Sequence, residues 1–331
     1  MTCFHPNLME CVKDPATGSL VYRFLGPAAS KDPREYGTMD DLASPEIGPS
    51  RDHYFFQVPC GKCVGCKIDY SRNWANRMIL ELRDSGCGIF LTLTYNDDSL
   101  PKNGFGDHTL SKRDLQLFWK KLRKAFPDVR IRYFVAGEYG PKTLRPHYHA
   151  IVYGLSVASF PDAYVQRFNN LGQPLYTSPA LARIWGNGFI LFSDVTWHTC
   201  SYVSRYVLKK GFGLNEYGDE GVVPEFVLSS RKPGIGLLNY RSYIQSGLTH
   251  FSVDGRDGIY SLPLPKAFLS KAKRDGLDID QINSIMRARS DAAHDSLLSS
   301  VLLSEKAYAD YLRDCEAELL AKLKGLDERS L

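Results

Sequence analysis

The chain has 331 residues, enough to bury at least one sizeable core. Hydrophobic residues make up 44% and charged residues 24%, which excludes global disorder, and no run of eighteen apolar residues is present to span a membrane. A net charge of +4 permits an anionic partner without requiring one, so the local placement of Lys and Arg must decide.

The opening MTCFHPNLMECVKD has neither a basic start nor an apolar signal core, so the expectation is a cytoplasmic protein. Eight cysteines in that setting suggest thiols or metal ligands rather than a disulfide framework. Residues 1–58 are rich in Pro, Gly, Ser and Asp and read as an irregular arm with one short hydrophobic run, SLVYRFL. Next, Ile68, Trp74, Met78, Ile79 and Leu82 recur at helical spacing, which predicts a helix over about 67–84 ended by Gly86.

GIFLTLTY (88–95) predicts a buried strand, followed by the turn-like NDDSLPKNGFGD. LSKRDLQLFWKKLRKAF (110–126) predicts a helix with Ser111 as N-cap, an apolar face of Leu115, Phe118, Trp119 and Leu122, and a basic outer side. VRIRYFVAGEYG and HYHAIVYG then read as an antiparallel hairpin. The pattern weakens from 159, with a short helix near 177–185 and a strand at GFILFSDV, before SYVSRYVLKKG predicts a helix ending at Gly211. A β-α-β-β-(α)-β-α order implies an α+β fold with an antiparallel-rich sheet. Beyond 241 the middle section has little pattern, and a heptad-like stretch at 278–326 predicts helices, arranged as a helical hairpin.

Chemistry concentrates in RPHYHAIVY. In a strand, residues two apart share a face, so His147 and His149 project together. The hairpin return through 139–146 brings Glu138 beside them. A His₂Glu set leaves coordination positions open and suits Mg²⁺ or Mn²⁺ with phosphate, with Zn²⁺ as an alternative. Hydrogen-bonded imidazoles in a half-buried strand would give the same pattern. Tyr202 and Tyr206, four apart, share one helical face, and Arg205, Lys209 and Lys210 surround them with positive charge that no acid interrupts from 197 to 215. Two aromatics packing on a core would also explain that spacing. A phenol beside a metal-bound phosphate is a potential nucleophile, and its product would be a phosphotyrosine ester.

FLTLTY, the His-hydrophobe-His behind GEYG, and the YxxxY of SYVSRYVLKK resemble the HUH endonucleases that initiate rolling-circle replication. With VPCGKCVGC and SSRKPGIG in the same order, the chain is similar to the replication initiators of small single-stranded DNA phages, the gokushovirus group of microviruses, over about 58–236. The resemblance implies a five-stranded antiparallel sheet flanked by helices, the RRM-like palm of an HUH domain, at 59–240, with a mostly helical extension at 241–331. It implies a divalent metal on His147 and His149 with Glu138 as third ligand, Tyr202 and Tyr206 as paired nucleophiles, and Lys209 and Lys210 as assisting cations. One phenol would cut the phage origin in single-stranded DNA and hold its 5′ end. No G-x-x-x-x-G-K-[ST] occurs, so unwinding and polymerisation are expected from the machinery of the host bacterial cytoplasm. Two other readings stand beside it: an HUH transposase or plasmid relaxase, which lacks the cysteine run and RKPGIG, and a non-catalytic zinc-dependent nucleic-acid-binding protein.

Cys60, Cys63 and Cys66 have C-x₂-C-x₂-C spacing, suited to one ion, with Cys3 or His5 as fourth ligand. Structural Zn²⁺ is the first reading and an iron-sulfur cluster the second; three reduced thiols in a turn is the plain one. Thr92 and Thr94 share a strand face and read equally as β-formers or as DNA contacts. Between 111 and 132 eight Lys or Arg face two acids, and Lys120, Lys121, Arg123 and Lys124 are candidate DNA-backbone contacts beside the cutting site. Arg231 and Lys232 join them, with Gly234 and Gly236 permitting close approach to a strand. The last thirty-one residues carry five bases and seven acids, which suits protein rather than DNA contact.

Overall fold

The computed structural model describes residues 3–27, 53–140, 143–170, 172–211, 221–255 and 258–327. The chain divides into two compact units, Met1–Tyr70 with Ile279–Leu331, and Ser71–Asp278. Strands β1 (Asn7–Lys13), β2 (Leu20–Pro27) and β3 (His53–Val58) form an antiparallel sheet of order β2-β1-β3. The described part of the N-terminal arm is therefore not irregular. Its β-formers pair with one another, while the Pro- and Ser-rich composition that dominated the sequence pattern belongs to 28–52, outside the described residues. Helix α1 (Val64–Ser85) follows, and the boundary between the units falls within it.

In the second unit, β4 (Gly88–Tyr95) alternates buried and half-buried residues and lies mid-sheet. Helix α2 (Lys112–Ala125) starts where Ser111 Oγ accepts from the Asp114 N–H, as its N-cap pattern predicts. Next come β5 (Arg132–Tyr139), β6 (Pro146–Tyr153), β7 (Tyr164–Phe168), β8 (Pro174–Thr177), α3 (Pro179–Trp185), β9 (Gly188–Asp194), α4 (Trp197–Gly211) and β10 (Phe226–Ser229). The sheet runs β10-β5-β6-β4-β9-β8-β7, antiparallel throughout. It thus has seven strands where five were expected. The extra pair, β7-β8, is tied to β9 through Tyr176 opposite Phe192. Residues of β7 are all exposed, so this hairpin has no inside-outside alternation for the sequence to display.

The two faces of this sheet have different jobs. On one, Leu91, Leu93, Tyr148, Ala150 and Phe192 pack with Leu115, Phe118, Trp119 and Leu122 of α2. Each such buried side chain contributes roughly 1.5–3 kcal/mol. On the other, Trp74 packs against Phe134 at 5.2 Å and the Tyr153 hydroxyl donates to the Met78 carbonyl at 3.1 Å, so α1 covers part of that face. There Glu81 and Arg132 form a buried ion pair, and Glu81 also accepts from the Gly236 N–H at 2.6 Å. Gly236 has φ +71°, and a Cβ there would sit 2.3 Å from the Arg77 carbonyl oxygen. The close approach expected of the RKPGIG glycines is therefore to a helix, not to a strand.

The patternless stretch from 241 belongs to this same unit and holds α5 (Tyr240–Gln245), the hairpin β11 (His250–Gly255) and β12 (Gly258–Pro263), and α6 (Lys266–Arg274). Helices α7 (Ile279–Ser304) and α8 (Tyr308–Asp327) realise the predicted C-terminal hairpin, with Val301, Tyr308 and Leu312 at its buried contact. They group with the N-terminal segment instead of forming a separate extension. Tyr308 donates to Gln57 Oε1 at 2.9 Å, and His5 Nε2 lies 2.7 Å from Glu316 Oε2. No helix among the described residues is long and apolar enough to cross a membrane.

Candidate active site

Register does most of the assembly. In the β5-β6 hairpin Glu138 pairs directly with His147 and Ala136 with His149, while across β6-β4 Thr92 pairs with His149. Alternation turns Tyr148 into the core, where its hydroxyl donates to the Ser111 carbonyl at 3.0 Å, and turns both imidazoles to the opposite face. The loop of 140–145 thus brings Glu138 to the histidines as the spacing predicted. His147 Nε2 lies 2.6 Å and His149 Nε2 3.1 Å from the same carboxylate oxygen, Glu138 Oε1.

The far ring nitrogens are also held. His147 Nδ1–H donates to the Arg145 carbonyl at 3.1 Å, and His149 Nδ1 meets Thr92 Oγ1 at 3.1 Å. Both contacts leave Nε2 facing Glu138, the orientation that ligating histidines take from partners on their other nitrogen. Burial would raise the Glu138 carboxyl, but hydrogen bonds from His147 and His149 outweigh it and hold the group well below the ordinary carboxylate range. Two imidazole nitrogens and a carboxylate oxygen within 4.8 Å of one another fit a divalent cation with open positions.

Helix α4 delivers the phenols. Tyr206 donates to Glu138 Oε1 at 2.9 Å and its ring stacks on His149 at 5.6 Å and 9°. Tyr202 stands edge-on to His149 at 5.3 Å and to Tyr206 at 5.4 Å, and is 38% exposed. Burial, then the neighbouring Tyr202 and the Glu138 carboxylate, push the Tyr206 phenol far above its ordinary value. Arg205 is exposed on the same helix, while the side chains of Lys209 and Lys210 lie outside what is described. Phe90 completes the wall, stacked on His149 at 5.7 Å and edge-on to Tyr202 at 6.0 Å. Sequence reasoning missed Phe90 and left Thr92 open; their signal was the alternation Phe90, Thr92, Thr94 on a strand beside β6.

The basic residues are distributed differently from expectation. Lys120, Lys121, Arg123 and Lys124 are exposed on α2, but α2 covers the face of the sheet opposite the histidines. They are not beside the triad, because i, i+2 alternation in β6 separates Tyr148's side from that of His147 and His149. Arg231 and Lys232 are exposed beyond β10, which pairs with the half of β5 from Phe134 to Gly137.

A family model described as the replication-associated protein ORF2 matches residues 88–211, the span from β4 to α4 that carries Glu138, both histidines and both tyrosines. Over 278 residues the chain is 32% identical to the replication-associated protein ORF2 of Spiroplasma virus 4, covering 81% of this chain and 84% of that relative. The chain belongs to the phage replication-associated protein family. Other members are more distant in extent: VP4 of Bdellovibrio phage phiMH2K is 36% identical over 49% of this chain and 51% of its own length, and ORF4 of Chlamydia phage 1 is 32% identical over 47% and 39%. No solved structure matches.

This replication-associated protein has a second ligand cluster, in its other unit. The sulfurs of Cys3, Cys60, Cys63 and Cys66 lie within 4.8 Å of one another, and Cys3 is the fourth member. His5, the alternative, is largely exposed and engages Glu316. None of the eight cysteines is in a disulfide. Cys60 N–H donates to the Cys3 sulfur at 3.2 Å, Cys63 N–H to the Cys60 sulfur at 3.3 Å, and Phe4 N–H to the Cys63 sulfur at 3.4 Å. Burial pushes the Cys66 thiol up to about 11 and Cys3 higher still. At Cys60 burial is outweighed by the N–H groups of Cys63 and Lys62, which bring the thiol down to about 7. Four sulfurs in this arrangement fit a structural Zn²⁺ or an iron-sulfur cluster.

Proposed function

We propose that this phage replication-associated protein is a site-specific DNA nickase and strand transferase that starts rolling-circle replication. The observation that carries the reading is the convergence of Glu138, His147, His149 and Tyr206 within hydrogen-bonding contact on one sheet face. A divalent cation, Mg²⁺ or Mn²⁺, held by the three ligands would offset the carboxylate charge that raises the Tyr206 phenol and polarise a phosphoryl oxygen. Tyr206 or Tyr202 then attacks phosphorus as the phenol loses its proton, the P–O3′ bond breaks, and the 3′ oxygen leaves as a hydroxyl. The 5′ phosphate stays esterified to tyrosine, and because that ester keeps the energy of the broken diester, a later 3′-hydroxyl can displace the phenol and rejoin the strand. A second phenol in contact with the first suits a second cut after one round.

The substrate of this reading is single-stranded DNA at the phage origin, with unwinding and synthesis supplied by host machinery in the bacterial cytoplasm. The test is incubation with Mn²⁺ or Mg²⁺ and single-stranded oligonucleotides tiled across the phage genome, followed by denaturing electrophoresis. An SDS-resistant protein-DNA adduct is expected from one tile and is lost in the Tyr202→Phe, Tyr206→Phe double variant. Absence of any adduct with any divalent metal, or an adduct that survives the double substitution, overturns the mechanism.

A further inference from the structure

At the Arg132 end of β5, away from Glu138, the structure has an open cleft of about 350 Å³. Its lining includes Arg123, Arg130, Tyr133, Ser230, Arg231 and Lys232, and no carboxylate. All four of those cations are exposed, while Arg132, which also reaches the cleft, is buried and committed to Glu81. The walls are rigid. Tyr133 stacks on Trp119 at 4.1 Å and 6°, its N–H donates to Ser230 Oγ at 3.0 Å, and Ser230 N–H returns a bond to the Tyr133 carbonyl at 2.9 Å. Lys232 has φ +63°, a conformation unfavourable for a side-chain-bearing residue, and this places it at the rim of the cleft. A fixed concavity with four cations and no anion fits phosphate groups.

We propose that this cleft is a second DNA-backbone site, which rests on the nicking reading and gives it a footprint. Six residue steps of β5 separate Arg132 from Glu138, about 20 Å of extended chain, or on the order of six stacked nucleotides. DNA held at the triad and continuing into the cleft is thus gripped at two points, one that reacts and one that anchors.

The experiment measures binding of the full chain to oligonucleotides centred on the nick site, with EDTA present so that chemistry does not intervene. One series lengthens the flank on each side from about three to about ten nucleotides, and a parallel series anneals that flank to its complement. Lengthening one flank past about six nucleotides should tighten wild-type binding, and the flank form that gives the larger gain identifies single-stranded or duplex DNA as the anchored partner. In the R123Q/R130Q/R231Q variant that gain should vanish, and the slope of log K against log salt on the long oligonucleotide should become shallower by about two. A K266Q/K273Q/R274Q variant, which removes equal charge from α6, should keep the length gain. If the cleft variant keeps it too, or both variants lose it equally, the cleft is not the anchor. A urea transition matching wild type confirms that each variant is folded. Failure of the tyrosine adduct in wild type, measured separately with metal, would sink the nicking reading without touching this length dependence.

Discussion

His147 and His149 face the same carboxylate but are oriented by different kinds of partner, a backbone carbonyl for one and the Thr92 hydroxyl for the other. Only the hydroxyl can be removed by substitution. In Thr92→Val, His149 loses the group that fixes its ring, and the metal concentration giving half-maximal adduct should rise by about tenfold or more, with activity recovered at high Mn²⁺. An unchanged metal titration would mean that Thr92 is only a sheet former. His147→Ala and His149→Ala should each abolish the adduct at any metal concentration while leaving the unfolding transition and most salt-sensitive DNA binding intact. The phenols should also separate. Tyr206 already bonds Glu138 whereas Tyr202 is partly exposed, so in single-turnover assays Tyr206→Phe should slow adduct formation more than Tyr202→Phe. The histidines, Glu138 and the tyrosine pair were legible because strand and helix periodicities fix which residues share a face. Thr92 and Phe90 were not, since their role depends on β4 pairing with β6 in one register, and a pairing between strands more than fifty residues apart leaves no trace in local pattern.

The elements legible in sequence are those with a strong period and clear ends, as α2 shows with its Ser111 cap and four-residue buried face. Those missed have neither: β1 and β3 pair across an intervening segment of different composition, and β7-β8 is an exposed edge hairpin. The RKPGIG loop belongs to a third class, where a motif was visible but its partner was not. Its partner is α1, through Glu81. That carboxylate is fully buried, paired with Arg132 and bonded to the Gly236 N–H, so it joins helix, strand and loop at one point. Glu81→Gln leaves the Arg132 guanidinium buried without a counter-charge and should cost about 3–5 kcal/mol in urea unfolding. Gly236→Ala must force a Cβ against the Arg77 carbonyl at positive φ and should cost more than about 1 kcal/mol, with the loop's protection from proteolysis reduced. A Gly236→Ala protein as stable as wild type would show that the loop can move off α1 freely.

At the scale of the whole molecule, the N-terminal segment and the C-terminal helices form one unit, although nearly the entire second unit separates them in sequence. Composition could not reveal this, because the acidic tail and the cysteine-bearing arm carry no shared pattern; the contacts that join them, Tyr308 to Gln57 and His5 to Glu316, are single polar pairs. A unit with so divided a chain gains most from a cross-link that ties distant positions, and Cys3 meets Cys60, Cys63 and Cys66 across more than fifty residues. The metal on these sulfurs should therefore be a folding element of this unit alone. Purified protein should contain one tightly held metal atom per chain beyond any exchangeable ion at the triad. Cys63→Ser should lose it, and the thermal transition of this unit should fall by roughly 4–8 °C for each 1 kcal/mol of binding energy forfeited. Truncation after Asp278 should weaken metal retention too, although it removes no ligand, since it strips the helices that pack with the arm. Cobalt substitution reads the site directly: intense thiolate-to-metal absorption is expected in wild type and should be weakened in Cys63→Ser. If wild type holds no metal and the Cys63→Ser transition is unchanged, the four cysteines are ordinary buried thiols, and the stability of the divided unit must come from its sheet and helices.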